Sequence, residues 1–327
     1  MTENESNVPV PPSNPNNPLV TPDSPIEASV EATLVQPKIV ADLPRLWTTF
    51  AVFFASIGLM IFFSVIVIGI YLAPTVSSIQ DGNSSPDLTE LTESLLTPLG
   101  FIVQGIPTQL AMAFAAIMAA ILSPIAFRER IGFCDSGLST VEWLATGIGA
   151  FLPAAIGMGF AYLMTLVIQP DQSVATLYES MTIAWAVPFV LFIALAPGFA
   201  EEMLMRGYMQ RRFLQRWSPG LSIFVSASLF ALLHVMPHTV VFAFPIGLWF
   251  GYVAWKTDSI WPTILGHILI NGVWNILNIS YRLAGYSEST YYVLCGVLLA
   301  VGVAAFLFSW PAIHWASARK QSRLVAA

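Results

Sequence analysis

The chain has 327 residues, 56% of them hydrophobic and 10% charged, and its 13 basic and 19 acidic side chains give a net charge of −6. A soluble domain carries about 25% charged residues, so the composition excludes a soluble globular fold and points to an all-α, polytopic membrane protein. No basic run offers a surface to nucleic acid. The two cysteines, Cys134 and Cys295, fall in segments expected near opposite membrane faces, which leaves no disulfide and no cysteine metal site.

Residues 1–43 are rich in Pro, Asn, Ser and Glu and nearly free of aromatics. Such a segment cannot bury enough apolar surface to offset its ordering entropy, and it is expected to be a disordered tail ahead of a membrane domain at 44–327. It has neither the basic start nor the apolar core of a signal peptide. Hydropathy then gives about eight spans: Trp47–Leu72, Leu99–Phe127, Trp143–Ile168, Ile183–Arg211, Leu221–Met236, His238–Trp255, Ile260–Ser280 and Tyr291–Trp315. Pro188 and Pro197 predict a kink or an irregular start in the fourth.

With eight spans, 12 of the 13 basic residues fall on one side, and only Arg282 on the other. The positive-inside rule then places both termini in the cytoplasm, with the Asp- and Glu-rich loop after the first span outside. No internal repeat of the transporter kind is visible.

The fourth span carries Glu201, Glu202 and Arg206 in an otherwise apolar run. An ionisable residue at mid-membrane costs roughly 2.5–3.5 kcal/mol on insertion scales, so such groups persist only where they pair or do chemistry. Glu202 and Arg206 are i,i+4 partners and can neutralise each other. Glu201 is rotated about 100° around the helix and has no local partner.

Ser222, Ser226, Phe230 and His234 form one helical stripe in the fifth span, and His267, Asn271, Asn275 and Asn278 another in the seventh. No lipid-facing surface is built that way. At about 1.5 Å per residue, Glu201, His234, His267 and Asn271 lie at compatible depths and can share one chamber. A carboxylate and a histidine can activate water, while a second histidine and an amide can hold an oxyanion. Taken singly, each residue reads better as interhelical glue.

Other hydrolytic chemistries are absent from the pattern. There is no His-Glu-x-x-His helix, no aspartate inside an expected span and no Gly-x-Ser-x-Gly elbow. His238 follows Pro237 and is expected in a loop, and His314 is expected at the membrane interface beside Trp310 and Trp315.

Glu201-Glu202-x-x-x-Arg206, Phe230-x-x-x-His234 and His267-x-x-x-Asn271, in that order, resemble the signature of the CAAX prenyl endopeptidases, also called the CPBP or Abi family. The resemblance covers about residues 183–280. It implies a membrane-embedded peptidase in which Glu201 and His234 activate water, His267 and Asn271 hold the oxyanion, and Glu202 and Arg206 are a supporting ion pair. The position before the arginine is often aromatic in that family; here it is Met205. The resemblance also implies a peptide or protein substrate in the bilayer, which could itself carry a lipid, in a bacterial-type cell membrane rather than the endoplasmic reticulum.

Glu201, His234 and His267 are also a two-histidine, one-carboxylate set of the kind that holds catalytic zinc. They come from three separate helices without an i,i+4 histidine pair, and the expectation is a site without metal or other cofactor. Two rival readings of the chain are a non-enzymatic immunity or scaffold protein keeping the fold, and a proton-coupled transporter.

Overall fold

Each apolar run becomes a helix or a chain of helices, because a backbone in hydrocarbon must bond to itself. The computed structural model describes residues 45–81, 88–170 and 172–326, so the expectation for the 1–43 tail lies outside the described residues. The first four helices are α1 (Leu46–Asp81), α2 (Leu88–Leu95), α3 (Pro98–Ile121) and α4 (Phe127–Ile131). They are followed by α5 (Thr140–Ile148), α6 (Phe151–Met164), α7 (Ser173–Glu179) and α8 (Ile183–Glu202). A π-helical segment, Met203–Gln210, continues α8 into the short α9 (Arg211–Phe213). The chain closes with α10 (Pro219–Leu232), α11 (Pro237–Thr257), α12 (Trp261–Ala284) and α13 (Glu288–Ala326).

Among the described residues six stretches are long and apolar enough to cross a membrane: Leu46–Pro74, Pro98–Ile121, Thr140–Met164, Ile183–Phe213, Pro237–Thr257 and Glu288–Arg319. The chain is a multi-pass membrane protein. α10 has 14 residues, a rise of about 21 Å at helical pitch, which is short for a span. α12 is long enough but diluted by its asparagine stripe. Length and apolarity therefore single out six candidate crossings among the described residues and leave α10 and α12 of the expected eight unconfirmed.

Side-chain contacts give the helix directions. Phe101 meets Phe189, Gly105 faces Phe192, and Gln109 reaches Glu201, so α3 and α8 run parallel. Asn271 reaches Ile193, Gly198 faces Ile268, and His267 reaches Glu202, so α12 runs antiparallel to α8. Arg211 pairs with Asp258 at 2.6 Å, and Arg212 donates to Thr48 and Thr49. The ends of α9 and α11 and the start of α1 thus share one end of the bundle. Arg319 joins Glu142 at 2.8 Å, tying the late part of α13 to the start of α5. Arg282 pairs instead with Glu179 at 3.7 Å.

Three local expectations are corrected. The fourth run starts as a regular helix that continues past Pro188 and Pro197, and its irregularity comes later, in the π-helical segment. The third run is broken at Gly149 and Ala150, where the close approach of the Phe306 backbone leaves no room for a Cβ. His234 lies in a turn beyond α10, and His238 in the first turn of α11, where Pro237 occupies the first helical position. Proline there starts a helix, since the N–H it lacks would be unbonded anyway. His314 is exposed and bonded to Tyr252 Oη at 3.0 Å.

Candidate active site

Pro197 shapes the site before any charged residue does. Proline has no N–H, so the carbonyl four residues earlier in the helix, that of Ile193, loses its donor. Asn271 Nδ2 on α12 supplies one at 3.0 Å. A side chain from the neighbouring helix therefore completes the backbone of α8.

The π-helical segment follows directly, and every residue in it is buried. π turns widen the helix and recur at functional sites. Gly207 lets α4 approach here, since a Cβ would lie 2.6 Å from Ile131 O. Arg206 and Gln210, one turn apart, donate to the carbonyls of Gly247 (3.3 Å) and Gly251 (2.7 Å), also one turn apart on α11.

Arg206 Nη1 meets Glu202 Oε1 at 2.7 Å, and both side chains are fully buried. The guanidinium also lies 4.1 Å above the Phe230 ring, so a cation–π contact offsets part of its desolvation. The same Glu202 oxygen meets His267 Nδ1 at 3.1 Å. A carboxylate paired with arginine only accepts, so Nδ1 carries the proton and Nε2 is the free ring nitrogen.

That free nitrogen stands 3.8 Å from Glu201 Oε2. Glu201 Oε1 accepts from Gln109 Nε2 of α3 at 3.1 Å. Glu201 Oε2 is buried and has no hydrogen-bond partner among the described residues. A buried acceptor left unpaired costs about 1–3 kcal/mol, which asks for a reason.

His234 Nδ1 donates to Phe230 O at 3.1 Å, leaving its Nε2 with a lone pair in the neutral ring. The Phe230 ring lies edge-on to both imidazoles, 5.1 Å from His234 and 6.0 Å from His267. The two imidazoles are thus no farther apart than the sum of those separations. Behind His234 the chain turns through Val235 at φ 61°, with Met236 N bonded back to His234 O. Positive φ at a β-branched residue is strained and persists only where its surroundings hold it.

The structure brings Glu201, Glu202, Arg206 and His267 into direct contact, sets His234 across Phe230 from His267, and turns Asn271 toward α8. Lower on the stripe, Asn275 accepts from Tyr178 Oη at 2.7 Å and Asn278 from Tyr291 Oη at 3.1 Å. Those two asparagines join helices. Gln109 is the residue the sequence reading missed; its signal was an amide, one of two with Gln104, in an apolar run.

Among the described residues no group of three His, Cys, Asp or Glu side chains is placed to hold a metal ion. Of the expected zinc set only Glu201 and His267 lie in contact, at 3.8 Å, and no step below runs through a metal.

Residues 183–273 match the family model described as type II CAAX prenyl endopeptidase Rce1-like. The match covers less than a third of the chain and contains Glu201, Glu202, Arg206, His234, His267 and Asn271. No curated protein and no solved structure matches the chain. Around its paired glutamates, then, this membrane protein carries a domain of the Rce1-like type II CAAX prenyl endopeptidase family at residues 183–273.

Proposed function

We propose that the protein is an intramembrane endopeptidase that cleaves a peptide bond near a membrane-anchored or C-terminal segment of its substrate, with water as nucleophile. Glu201 and His234 take the proton from water, and His267 and Asn271 hold the oxyanion. The observation that carries this reading is Glu201 Oε2, buried without a donor among the described residues and 3.8 Å from His267 Nε2. Glu202 has its arginine, whereas Glu201 is held only by an amide. A carboxylate kept so in an apolar bundle marks a functional site.

The water oxygen attacks the scissile carbonyl carbon, and one water proton passes to the Glu201–His234 pair. That proton then goes to the amine nitrogen as the C–N bond breaks, giving a carboxylic acid and an amine. The acid's proton, the second of the water, passes to the amine to leave a carboxylate and an ammonium. For its part His267 keeps Nδ1–H on Glu202, and it donates from Nε2 to the oxyanion once that nitrogen has also taken a proton, since a neutral imidazole carries only one N–H. Asn271 uses one amide hydrogen on Ile193 O and has a second to give.

Asn271 thus has two roles that a double-mutant cycle separates. Asn271→Ala should cost about 1–3 kcal/mol by stranding the Ile193 carbonyl. Pro197→Ala restores a backbone donor to that carbonyl, so the double variant should regain stability and stay inactive. Activity recovering together with stability would make Asn271 a purely structural residue.

The proposed reaction needs no metal. After exhaustive chelation, purified protein should cleave a fluorogenic farnesylated CAAX-type peptide within about twofold of its original rate. Loss of activity that added zinc restores would turn His234 and His267 into ligands.

We also place the end of the bundle holding Arg211, Arg212 and Arg319 in the cytoplasm, with eight crossings. In a protein otherwise free of cysteine, a cysteine at Ser289 should react with an impermeant maleimide on intact cells. One at Ser322 should react only after lysis. The opposite pattern overturns the orientation.

A further inference from the structure

Gln109 is tied to Glu201 by one hydrogen bond, and the atoms that bond leaves over are informative. A carboxylate only accepts, so the amide must present Nε2 to Glu201 Oε1, as it does at 3.1 Å. Gln109 Oε1 is then the spare atom. It is buried, and among the described residues neither it nor Glu201 Oε2 has a hydrogen-bond partner. Two acceptors on one hydrogen-bonded pair therefore lack donors. Gln210 Oε1 and Glu202 Oε2 are orphaned too, but among the described residues only here do the two orphans sit on the two partners of one side-chain hydrogen bond between helices.

A single water answers this arrangement. Its two O–H groups donate to two acceptors, and its oxygen keeps lone pairs for an electrophile. The 3.8 Å between Glu201 Oε2 and His267 Nε2 is too long for a direct hydrogen bond and is the kind of separation that calls for a water beside both. The approach of α3 is built in. One turn before Gln109 on the same face, a Cβ at Gly105 would lie 2.6 Å from the Phe192 ring of α8. A side chain there would have to push that ring aside.

We propose that Gln109, on a helix outside the family-matched segment, holds the attacking water: Nε2 fixes the Glu201 carboxylate and Oε1 takes the second hydrogen of the water bound to Glu201 Oε2. This rests on Glu201 being the water-activating group. The other titratable groups around it are Glu202 at the end of α8, Arg206 in the π-helical segment, His234 after α10 and His267 on α12.

The test uses the full chain in nanodiscs with the farnesylated CAAX-type peptide. Gln109→Leu should lower kcat by about 10- to 100-fold with KM changed less than about twofold. Gln109→Glu should show activity that rises as pH falls, because only a protonated carboxyl offers one donor and one acceptor as the amide does. Wild-type kcat in Gln109→Leu, with Glu201→Gln inactive, overturns the role of Gln109 and leaves the site reading standing. Full activity in Glu201→Gln overturns the site reading itself. If Gln109→Leu does not fold, an unshifted pH profile in Gln109→Glu overturns the proposal. Independently of any substrate, a structure that resolves waters should show one within hydrogen-bond distance of both Glu201 Oε2 and Gln109 Oε1. Its absence there overturns the proposal.

Discussion

Glu201→Gln should lower kcat on a cleavable peptide by on the order of 10³–10⁴-fold while the amount of folded protein stays near wild type. The substitution keeps size and shape and removes only the capacity to take a proton. Gln109 can still donate to the carbonyl oxygen of the new amide, so the α3–α8 contact survives. No cation loses a partner, because Arg206 is paired with Glu202 instead. Detergent-solubilised protein measured for monodispersity, thermal unfolding and peptide cleavage gives both readouts. Retained cleavage would remove Glu201 from the chemistry, and loss of folded protein would make it a structural residue.

Arg206→Ala should have the opposite profile. It leaves Glu202 fully buried and without its cation, and breaking a buried pair from one side costs about 3–5 kcal/mol. Native domains have about 5–15 kcal/mol in total. Most of the expressed variant should therefore fail to fold. The substitution also removes the contact with Phe230 and the hydrogen bond to Gly247 O, so packing loss adds to the charge penalty. Replacing both partners, as in Glu202→Leu with Arg206→Met, should recover folded protein, since an apolar pair leaves no stranded charge. It should not recover activity, because His267 Nδ1 then loses the carboxylate that fixes its ring. Full activity in the double variant would mean that Glu202 has no bearing on His267.

The ion pair was legible in the sequence because its logic is local: two opposite charges four residues apart in an apolar run have only each other. The helices were legible for a similar reason, since hydropathy and helix bonding act over neighbouring residues. What escaped depends on distant parts of the chain. Gln109 and Glu201 are 92 positions apart, and nothing in either neighbourhood announces the other. Hydropathy also could not tell that α10 stops at Leu232 and leaves His234 in a turn, because the apolar run continues unbroken to Met236. At Pro188 and Pro197 the irregular start that the sequence suggested is absent, and the helix continues past both. Neighbouring helices re-satisfied the backbone at Pro197, through Asn271, so the proline did not break the helix.

The π-helical segment Met203–Gln210 has a consequence for how this region tolerates change in length. A π turn holds about one residue more than the α turn it replaces. Met203–Gln210 therefore carries slack, and deleting one residue there need not pull α9 away from α1 or break the chain's path. The deletion would instead let the segment rewind as an ordinary helix. The ends would stay seated while Arg206 and Gln210 lost their alignment with the Gly247 and Gly251 carbonyls, and the bundle would keep its outline but lose its internal registration. Length variation at this point is thus a way to switch the site off without dismantling the scaffold that holds it.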